Sequence, residues 1–318
     1  MKILVIGGAG YIGSHVTYEL CDQGYNVTVL DNLSTGFIEN VDKRANFIKG
    51  SFTSQNIIKK VLKDIDCVIH LAALKAAGES MKNPIKYSKH NIVDSISLIN
   101  SCVENNIDKF IFSSSAAVYG SPQYKPIDEK HPLEPINYYG FTKLIIENQL
   151  RWFSQIKNLK VACLRYFNAA GYDVKSRISI KEKNPQNLIP IVMEYVSGLR
   201  SEFNVFGNDY NTPDGTCLRD YIHVNDLAMG HVKAIEKLND KNQITTNLAT
   251  GNSHSVMDVI NEVIRCTNKK IDYKISKRRP GDPDALYAKS NNILNYKNQY
   301  SDLETIIRTT WDVYKKYI

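Results

Sequence analysis

Two residues that could exchange a proton with a substrate, Tyr139 and Lys143, stand four positions apart in a stretch that predicts a helix beginning near residue 138. Residues at this spacing project from one face of a helix. A tyrosine hydroxyl titrates at about pH 10 in water, and a neighbouring positive charge favours the phenolate, which can act as a base. Taken alone, however, such a pair is more often surface packing of an aromatic ring against a lysine.

A run of three serines strengthens the chemical interpretation of that pair. Ser113–Ser115 follows the apolar stretch 109–112, which predicts a buried strand, so the run lies at the carboxyl end of the strand. Open α/β sheets bind their ligands at this edge. The helix pair and the serine run together therefore predict one catalytic site.

The first fourteen residues predict a strand, a glycine turn and the start of a helix. The apolar run 3–6 is typical of a buried parallel strand, and glycines follow it at a spacing of three: Gly7, Gly10 and Gly13. Glycine allows the sharp turn and the close approach of the backbone to a pyrophosphate at a helix N-terminus. Asp31, at the end of the predicted strand 26–30, supplies the acidic residue of this fingerprint. Its carboxylate would accept hydrogen bonds from ribose hydroxyls and repel a 2′-phosphate, so we predict NAD rather than NADP.

Short apolar segments alternate with helical ones through the first half of the chain. The predicted strands are 3–6, 26–30, 46–49, 67–72, 109–112 and 161–167, and the predicted helices lie near 54–63, 91–105 and 138–153. This order is typical of an α/β fold with a doubly wound parallel sheet, the Rossmann arrangement.

We place a domain boundary in the polar stretch 172–186. Residues 1–176 are expected to form an NAD-binding Rossmann domain, and residues 177–318 a smaller α/β domain that binds the substrate. Residues 220–250 are expected to pack back on the first domain. The asparagine-rich end, 290–318, is predicted to be helical and has no functional assignment.

The composition restricts the class of protein. The net charge of +7 comes from dispersed lysines without a run of five or more like charges, so we expect no nucleic-acid partner. The six cysteines lie far apart and show no metal-ligand spacing, so we expect neither a metal site nor disulfides, as suits the cytoplasm. We also expect no leader peptide and no membrane association, because no segment approaches about eighteen consecutive apolar residues.

Nine blocks of sequence carry a family resemblance across nearly the whole chain. They are 7–15 (GGAGYIGSH), 31–36 (DNLSTG), 74–80 (LKAAGES), 112–120 (FSSSAAVYG), 139–143 (YGFTK), 164–171 (LRYFNAAG), 187–190 (NLIP), 214–224 (DGTCLRDYIHV) and 278–282 (RRPGD). With these blocks, the chain resembles the extended short-chain dehydrogenase/reductases, and among them the NAD-dependent UDP-glucose 4-epimerases. Such enzymes oxidise a UDP-hexose at C4 with bound NAD, rotate the 4-keto sugar and return the hydride to its opposite face. The resemblance also implies a homodimer formed through the helices near 91–105 and 138–155.

The resemblance assigns roles to individual residues. It implies that Tyr139 is the general base, that Ser115 relays or orients the proton of the sugar 4-hydroxyl, and that Lys143 holds the nicotinamide ribose. The residues implied to contact NAD are Gly7, Gly10, Tyr11, Ile12, Gly13, Asp31, Asn32, Ser34, Thr35, Gly36, Ser51, Phe52, Leu71, Ala72, Ala73, Lys75, Asn91, Ser113, Tyr139, Lys143 and Tyr166. Those implied to contact the UDP-sugar are Ser115, Tyr139, Asn168, Asn187, Leu188, Asn204, Phe206, Arg219, Arg279, Asp282 and Leu286.

Several of these assignments have a structural alternative. Arg279 and its neighbour Arg278 would also suit a solvated charge pair. Phe206 would also suit a core position, and Asn187 a helix cap. His70, at a strand end, is interpreted as a structural histidine rather than a catalyst.

Two positions depart from the family pattern. Ser51 stands where the family usually has an aspartate that binds the adenine amino group, which weakens a charge-assisted bond of about 1.5–3 kcal/mol. Leu286 stands four residues after Asp282, where the family has a tyrosine that narrows the sugar pocket. In the family, smaller residues there accompany acceptance of N-acetylated sugars. We therefore expect turnover of UDP-glucose and UDP-galactose, with UDP-GlcNAc and UDP-GalNAc as further candidates.

Other functions fit the residues less well. A nucleotide-sugar 4,6-dehydratase usually carries Thr-Asp-Glu where this chain has Ser115–Ala117, which contains no carboxylate. For an enzyme that processes UDP-glucuronate, we find no cation to place against the sugar carboxylate. A catalytically idle NAD-sensing regulator would not require Ser115, Tyr139 and Lys143 together.

Overall fold

The structure, a computed structural model, describes residues 1–279, 281–289 and 291–318. The strands are β1 (Lys2–Ile6), β2 (Asn26–Asp31), β3 (Asn46–Lys49), β4 (Cys67–His70), β5 (Lys109–Ser115), β6 (Lys160–Tyr166), β7 (Asn168–Ala170), β8 (Asn204–Phe206), β9 (Leu218–Arg219), β10 (Tyr221–His223), β11 (Gln243–Leu248), β12 (His254–Ser255), β13 (Lys274–Ser276) and β14 (Ala285–Leu286). The α-helices are α1 (Tyr11–Asp22), α2 (Gln55–Val61), α3 (Ala77–Lys82), α4 (Pro84–Tyr87), α5 (Asp94–Glu104), α6 (Tyr138–Lys157), α7 (Leu188–Val196), α8 (Val224–Lys237), α9 (Val256–Thr267) and α10 (Leu303–Tyr314). A π-helical turn, Ser88–Val93, precedes α5.

Seven of these strands form one parallel sheet in the order β11-β6-β5-β4-β1-β2-β3. The strand order reverses between β1 and β4, which is the switch point where doubly wound sheets bind ligands. Because all seven strands are parallel, their carboxyl ends meet at one edge. The predicted α/β class with a doubly wound sheet is confirmed.

The sheet is buried on both faces, which explains the continuous apolar sequence of β1. Ile3 and Val5 pack with α1 and α8 on one face, whereas Leu4 and Ile6 pack with α2, α5 and α6 on the other. A separate apolar cluster joins α7, α9 and α10 to β8 and β10. The shorter strands pair outside the main sheet, as β10 with β7, β13 with β8, and β12, β9 and β14 together.

Some predicted boundaries shift. The strand predicted at 67–72 ends at His70, and the helix of 91–105 begins as a π-helical turn before α5. The prediction that 290–318 is helical is wrong before α10 begins at Leu303. In the described part of that stretch, Asn292 and Asn295 take positive φ angles, and the side chain of Asp302 caps α10 by accepting from the Thr305 amide. Asparagine tolerates left-handed backbone, so it favours turns over helix here. Ser290 lies outside the described residues.

None of the helices that the structure describes is long and apolar enough to span a bilayer.

Candidate active site

Helix α6 carries the Tyr139 and Lys143 pair, and its first turn is tightly fixed. Asn137 caps the helix by accepting a hydrogen bond from the Gly140 amide at 2.9 Å. A Cβ on Gly140 would lie 2.3 Å from the carbonyl oxygen of Ala117, so glycine lets the chain after β5 approach the helix. The predicted helix is therefore packed directly against the end of β5, with Tyr139 and Lys143 on the same face of the helix.

The serine run ends β5 and meets this helix. The Lys143 ammonium donates to the carbonyl oxygen of Ser113 at 2.6 Å and lies 3.4 Å from its hydroxyl. The Ser115 hydroxyl accepts from the Ala117 amide at 3.2 Å and interacts with the Tyr139 hydroxyl. The structure thus brings together Ser115, Tyr139 and Lys143 at the carboxyl edge of the sheet.

Burial dominates the electrostatics of the two titratable groups. Removal from water lowers the pKa of Lys143 to about 7, and the nearby Glu147 carboxylate opposes this shift. Burial raises the pKa of Tyr139 above its ordinary value, and the interaction with Ser115 opposes that shift. The positive charge of Lys143 therefore does not by itself overcome the effect of burial on the pKa of Tyr139. Without a bound cofactor, the Tyr139 hydroxyl stays protonated at neutral pH. A phenolate here needs a further positive charge, which a nicotinamide ring would supply.

The glycine turn has the shape required for a dinucleotide. Gly7 has a φ of +84°, and a Cβ on Gly13 would lie 2.0 Å from the Gly7 carbonyl oxygen, so the turn and α1 pack backbone to backbone. A Cβ on Gly10 would meet, among the described atoms, only the Gly7 carbonyl oxygen within 4 Å. Among the described residues, no side chain caps the first turn of α1, which begins at Tyr11 and contains no acidic residue. Its free amides, including that of Ile12, suit a pyrophosphate.

Asp31 connects this turn to the loop that follows β2. Its side chain is 8% exposed, and it accepts from the Ala9 amide at 3.0 Å and the Leu33 amide at 2.7 Å. A carboxylate has about four lone-pair positions, so capacity remains for ribose hydroxyls. In the same loop, the Asn32 side chain accepts from the Ser34 amide at 3.0 Å. A Cβ on Gly36 would lie 2.6 Å from the Ala9 carbonyl oxygen, so the segment around Thr35 packs on the glycine turn.

The loop after β4 is fixed by hydrogen bonds from a buried asparagine side chain. Asn91, in the π-helical turn, accepts from the Leu74 amide and donates to the Leu74 carbonyl, both at 2.9 Å. This pairing fixes the segment with Leu71, Ala72 and Ala73. Asn91 therefore positions the loop, which sequence reasoning did not foresee. Lys75, at the end of the loop, pairs with Glu182 at 3.2 Å.

Three other predicted cofactor contacts have local partners. The hydroxyl of Ser51 lies 2.9 Å from that of Thr53, and Phe52 packs edge-on against His70. The hydroxyl of Tyr166 lies 2.5 Å from His231 Nε2 in the core, and Tyr166 is the last residue of β6.

His70 has the contacts of a structural histidine. Its Nε2 lies 3.0 Å from the Ser95 hydroxyl, and burial lowers its pKa to about 3. The imidazole is therefore neutral at physiological pH.

The predicted nucleotide-sugar contacts fall into neighbouring groups. Arg219 Nη2 donates to the Asp282 carboxylate, and Leu286 pairs with Arg219 in the β14–β9 register. Leu286 also packs against the apolar cluster that contains Ala116, the residue after Ser115. The Asn168 side chain donates to the Asp220 carbonyl at 2.9 Å. These contacts connect the Arg219 group to the carboxyl end of β5.

In a second group of predicted substrate contacts, an arginine stacks on an aromatic ring. The Arg279 guanidinium lies 4.1 Å from the centroid of the Phe206 ring, and Asn204 accepts from the Ser276 hydroxyl at 3.2 Å. Phe206 is only partly buried, so it is not a core residue, and Arg278 pairs separately with Asp209. Pro280, within the block 278–282, lies outside the described residues.

Asn187 occupies the N-cap position of α7, but its side chain makes no cap hydrogen bond there. The Asn187 side chain therefore does not act as a helix cap, which was the structural alternative for this residue. The adjoining Leu188, partly buried, packs against the cluster around α7, α9 and α10.

The buried polar groups behind Ser115, Tyr139 and Lys143 were not predicted from the sequence. Glu147, Ser114 and Arg165 form a connected network there. The signal available was the spacing, since Glu147 follows Lys143 by another four residues on α6. Within the described residues, no group of histidine, cysteine or acidic side chains could hold a metal ion.

Comparisons with known proteins agree with this geometry. The family described as "NAD dependent epimerase/dehydratase family" matches residues 3–249. The UDP-glucose 4-epimerase of Halalkalibacterium halodurans is 41% identical over 323 residues, covering 100% of this chain and 96% of that protein.

Solved structures agree as well. The UDP-glucose 4-epimerase from Brucella ovis, in complex with NAD, has a TM-score of 0.95 and 40% identity, covering 99% of this chain and 98% of that one. The enzyme from Bifidobacterium longum, in complex with NAD⁺ and UDP, has a TM-score of 0.94 and 35% identity at the same coverage. The predicted epimerase activity is thereby confirmed, and the idle regulator and dehydratase alternatives gain no support. This chain belongs to the NAD-dependent epimerase/dehydratase family and, within it, to the UDP-glucose 4-epimerases, which are NAD-dependent isomerases.

Proposed function

We propose that this chain interconverts UDP-glucose and UDP-galactose with Tyr139, Ser115 and Lys143 as its catalytic residues. The observation that carries the proposal is their convergence at the carboxyl edge of the sheet, the same edge at which β1 ends in the glycine turn. The chemistry that bound NAD supplies is acceptance of a hydride from sugar C4 and its later return.

The roles follow from the groups that each residue offers. Tyr139 Oη takes the proton of the sugar 4-hydroxyl, and the Ser115 hydroxyl orients that proton. Lys143 Nζ, which donates to the carbonyl and hydroxyl oxygens of Ser113, has capacity for a further hydrogen bond and holds the nicotinamide ribose. When the keto sugar is reduced from its other face, Tyr139 gives the proton back.

NAD would be held by three parts of the Rossmann unit. The first-turn amides of α1, at Tyr11 and Ile12, would bind the pyrophosphate, and Asp31 the adenosine ribose. The loop fixed by Asn91 follows β4, on the other side of β1 from Asp31, and would line the site there. The proposed division at 172–186 assigns these parts to an NAD-binding domain.

UDP would be gripped by the groups around Arg219 and Arg279. An arginine fork matches diphosphate oxygens, and the partly buried Phe206 ring would face the uracil. Asp282, which now neutralises Arg219, would bind a ribose hydroxyl. A grip on the nucleotide leaves the sugar free to turn, as inversion at C4 requires.

The sugar range is proposed to include N-acetylated substrates. Leu286 lies beside the site, and its side chain is smaller than the tyrosine that the family pattern has there. The space left by the missing ring would accept the acetamido group of UDP-GalNAc.

A second copy of the chain is the proposed partner. Trp152 and Ile156, one turn apart on α6, are 61% and 65% exposed, and Ile85 and Val93 are also exposed large apolar side chains. Exposed large apolar side chains on α6 and on the turn before α5 favour an interface between subunits. Light scattering should give a dimer for the wild type and a monomer for Trp152→Glu; a monomeric wild type would refute this part. We also propose a cytoplasmic location, which the six free cysteines support.

The activity can be tested by NMR analysis of products. Purified protein, without added NAD, is incubated with UDP-galactose and separately with UDP-GalNAc. We expect the 4-epimer from both, which would also show that the cofactor is retained. Conversion of UDP-galactose alone would refute the wider sugar range. Conversion of neither, even with NAD supplied, would refute the proposed activity.

A further inference from the structure

Glu147 lies one helical turn beyond Lys143 on the inward face of α6 and forms a buried ion pair with Arg165 of β6. The pair is bidentate, with Arg165 Nε 3.0 Å from Oε1 and Nη2 2.6 Å from Oε2. The residues are 3% and 2% exposed. Removing two charges from water is costly, so a buried pair is weak evidence for a purely stabilising role.

The ion pair belongs to a fully connected chain of hydrogen bonds. The Ser114 hydroxyl donates to Glu147 Oε1, and Ser114 faces Arg165 in the β5–β6 register. Arg165 Nη1 donates to the Tyr119 hydroxyl at 2.9 Å, which donates to Asn247 Oδ1 at 2.6 Å. Networks in which each group is paired hold their members rigidly.

This network reaches the reacting groups through the serine run. Ser114 stands between Ser113, whose carbonyl receives Lys143, and Ser115, which interacts with Tyr139. Three consecutive residues of β5 therefore meet three residues of α6 at a spacing of four.

We propose that Glu147 is a positioning residue. Anchored by Arg165, it holds Ser114 and thereby fixes the end of β5, so that Ser115 and the Ser113 carbonyl meet Tyr139 and Lys143. This inference rests on the catalytic roles proposed above.

The test requires a variant that leaves the ion pair intact, because removing Glu147 would leave Arg165 unpaired in the core. Ser114→Ala removes only the hydroxyl that joins β5 to Glu147. The matched control is Ser154→Ala: Ser154 is also buried, lies on α6, and donates to the Asn242 carbonyl at 3.3 Å, far along the helix from Tyr139. Thermal unfolding of both variants and their content of bound NAD are measured first.

We expect Ser114→Ala to lower kcat for UDP-galactose about tenfold, since small displacements of a proton-transfer group are costly. Its KM should stay within about twofold of the wild-type value. Ser154→Ala should keep the wild-type kcat, with a similar change in unfolding temperature.

The pH profile of kcat provides a readout that a structural role would not move. The titratable groups around Tyr139 and Lys143 are His70 from β4, Tyr166 from β6 and Tyr87 from α4, together with Glu147 on α6 itself. Since the interaction with Ser115 lowers the pKa of Tyr139, loosening it moves the acid limb of the profile to higher pH.

If kcat and the pH profile of Ser114→Ala match those of Ser154→Ala, the positioning role is overturned while the proposed function stands. A wild-type protein without turnover would overturn both.

Discussion

The ammonium group of Lys143 is fixed by a main-chain carbonyl, that of Ser113, at 2.6 Å, rather than by a carboxylate. Because both residues are buried, the cation is shielded from water, and none of the described carboxylates bonds to it directly. Its pKa is therefore lowered to about 7. This relationship makes the charge of Lys143 sensitive to pH near neutrality.

A dependence of stability on pH follows from this shift. Between about pH 7 and 10.5 the unfolded chain binds the Lys143 proton more strongly than the folded chain does, so the free energy of unfolding rises with pH across that window. Lys143→Met lacks this contribution. In urea unfolding of the cofactor-free chain, the wild type should gain stability relative to Lys143→Met from about pH 7 upward. Parallel stability curves from about pH 6 to 9 would contradict the shift.

Removal of the Tyr139 hydroxyl should abolish most of the activity. We expect Tyr139→Phe to lower kcat at least about a hundredfold, because the proton of the 4-hydroxyl loses its acceptor. Tyr138→Phe is the matched control, since the adjacent hydroxyl bonds only to Ser88, at 2.6 Å, among the residues described. Steady-state kinetics measure both; comparable losses in the two variants would argue against a specific role for Tyr139.

Substitutions of the neighbouring residues Arg279 and Arg278 should distinguish an arginine that binds the substrate from one that only makes structural contacts. Arg279, stacked on Phe206, is proposed to bind the diphosphate, so Arg279→Met should raise KM about ten- to a hundredfold with kcat within about twofold. Arg278 instead pairs with Asp209 at 2.7 Å and stacks on Tyr210. Arg278→Met should therefore leave KM near its wild-type value. Equal increases of KM in both variants would indicate a general effect of charge.

Enlarging residue 286 should narrow the sugar range. Leu286→Tyr restores the ring of the family pattern beside the Ala116 cluster, and it should lower kcat/KM for UDP-GalNAc more than about tenfold. UDP-galactose serves as the control substrate, and its kcat/KM should change less than about threefold. An equal loss of kcat/KM for both substrates would indicate that the substitution disturbs folding rather than the shape of the sugar pocket.

Local patterns in the sequence were sufficient for the frame of the site. Helical spacing located the Tyr139 and Lys143 pair, and apolar runs located the strands whose ends carry Asp31 and the serines. These signals are local because a helix turn or a strand end is set by nearby residues.

Contacts that depend on register could not be predicted in this way. Glu147 meets Arg165 only because β5 and β6 align Ser114 with Arg165, and no local pattern encodes that alignment. The same applies to Asn91, whose side chain pairs with the backbone of Leu74 across a π-helical turn. The electrostatic outcome at Tyr139 also depended on burial, which sequence spacing does not reveal.

UDP-galactose deuterated at C4 shows whether one hydrogen leaves C4 and returns to its opposite face. Purified protein without added NAD is incubated with it in ordinary water, and the products are analysed by NMR. We expect UDP-glucose with the deuterium retained at C4, since the hydrogen is transferred as hydride and Tyr139 exchanges only the hydroxyl proton. UDP-glucose carrying solvent hydrogen at C4 would contradict it, because the hydrogen would then have left as a proton.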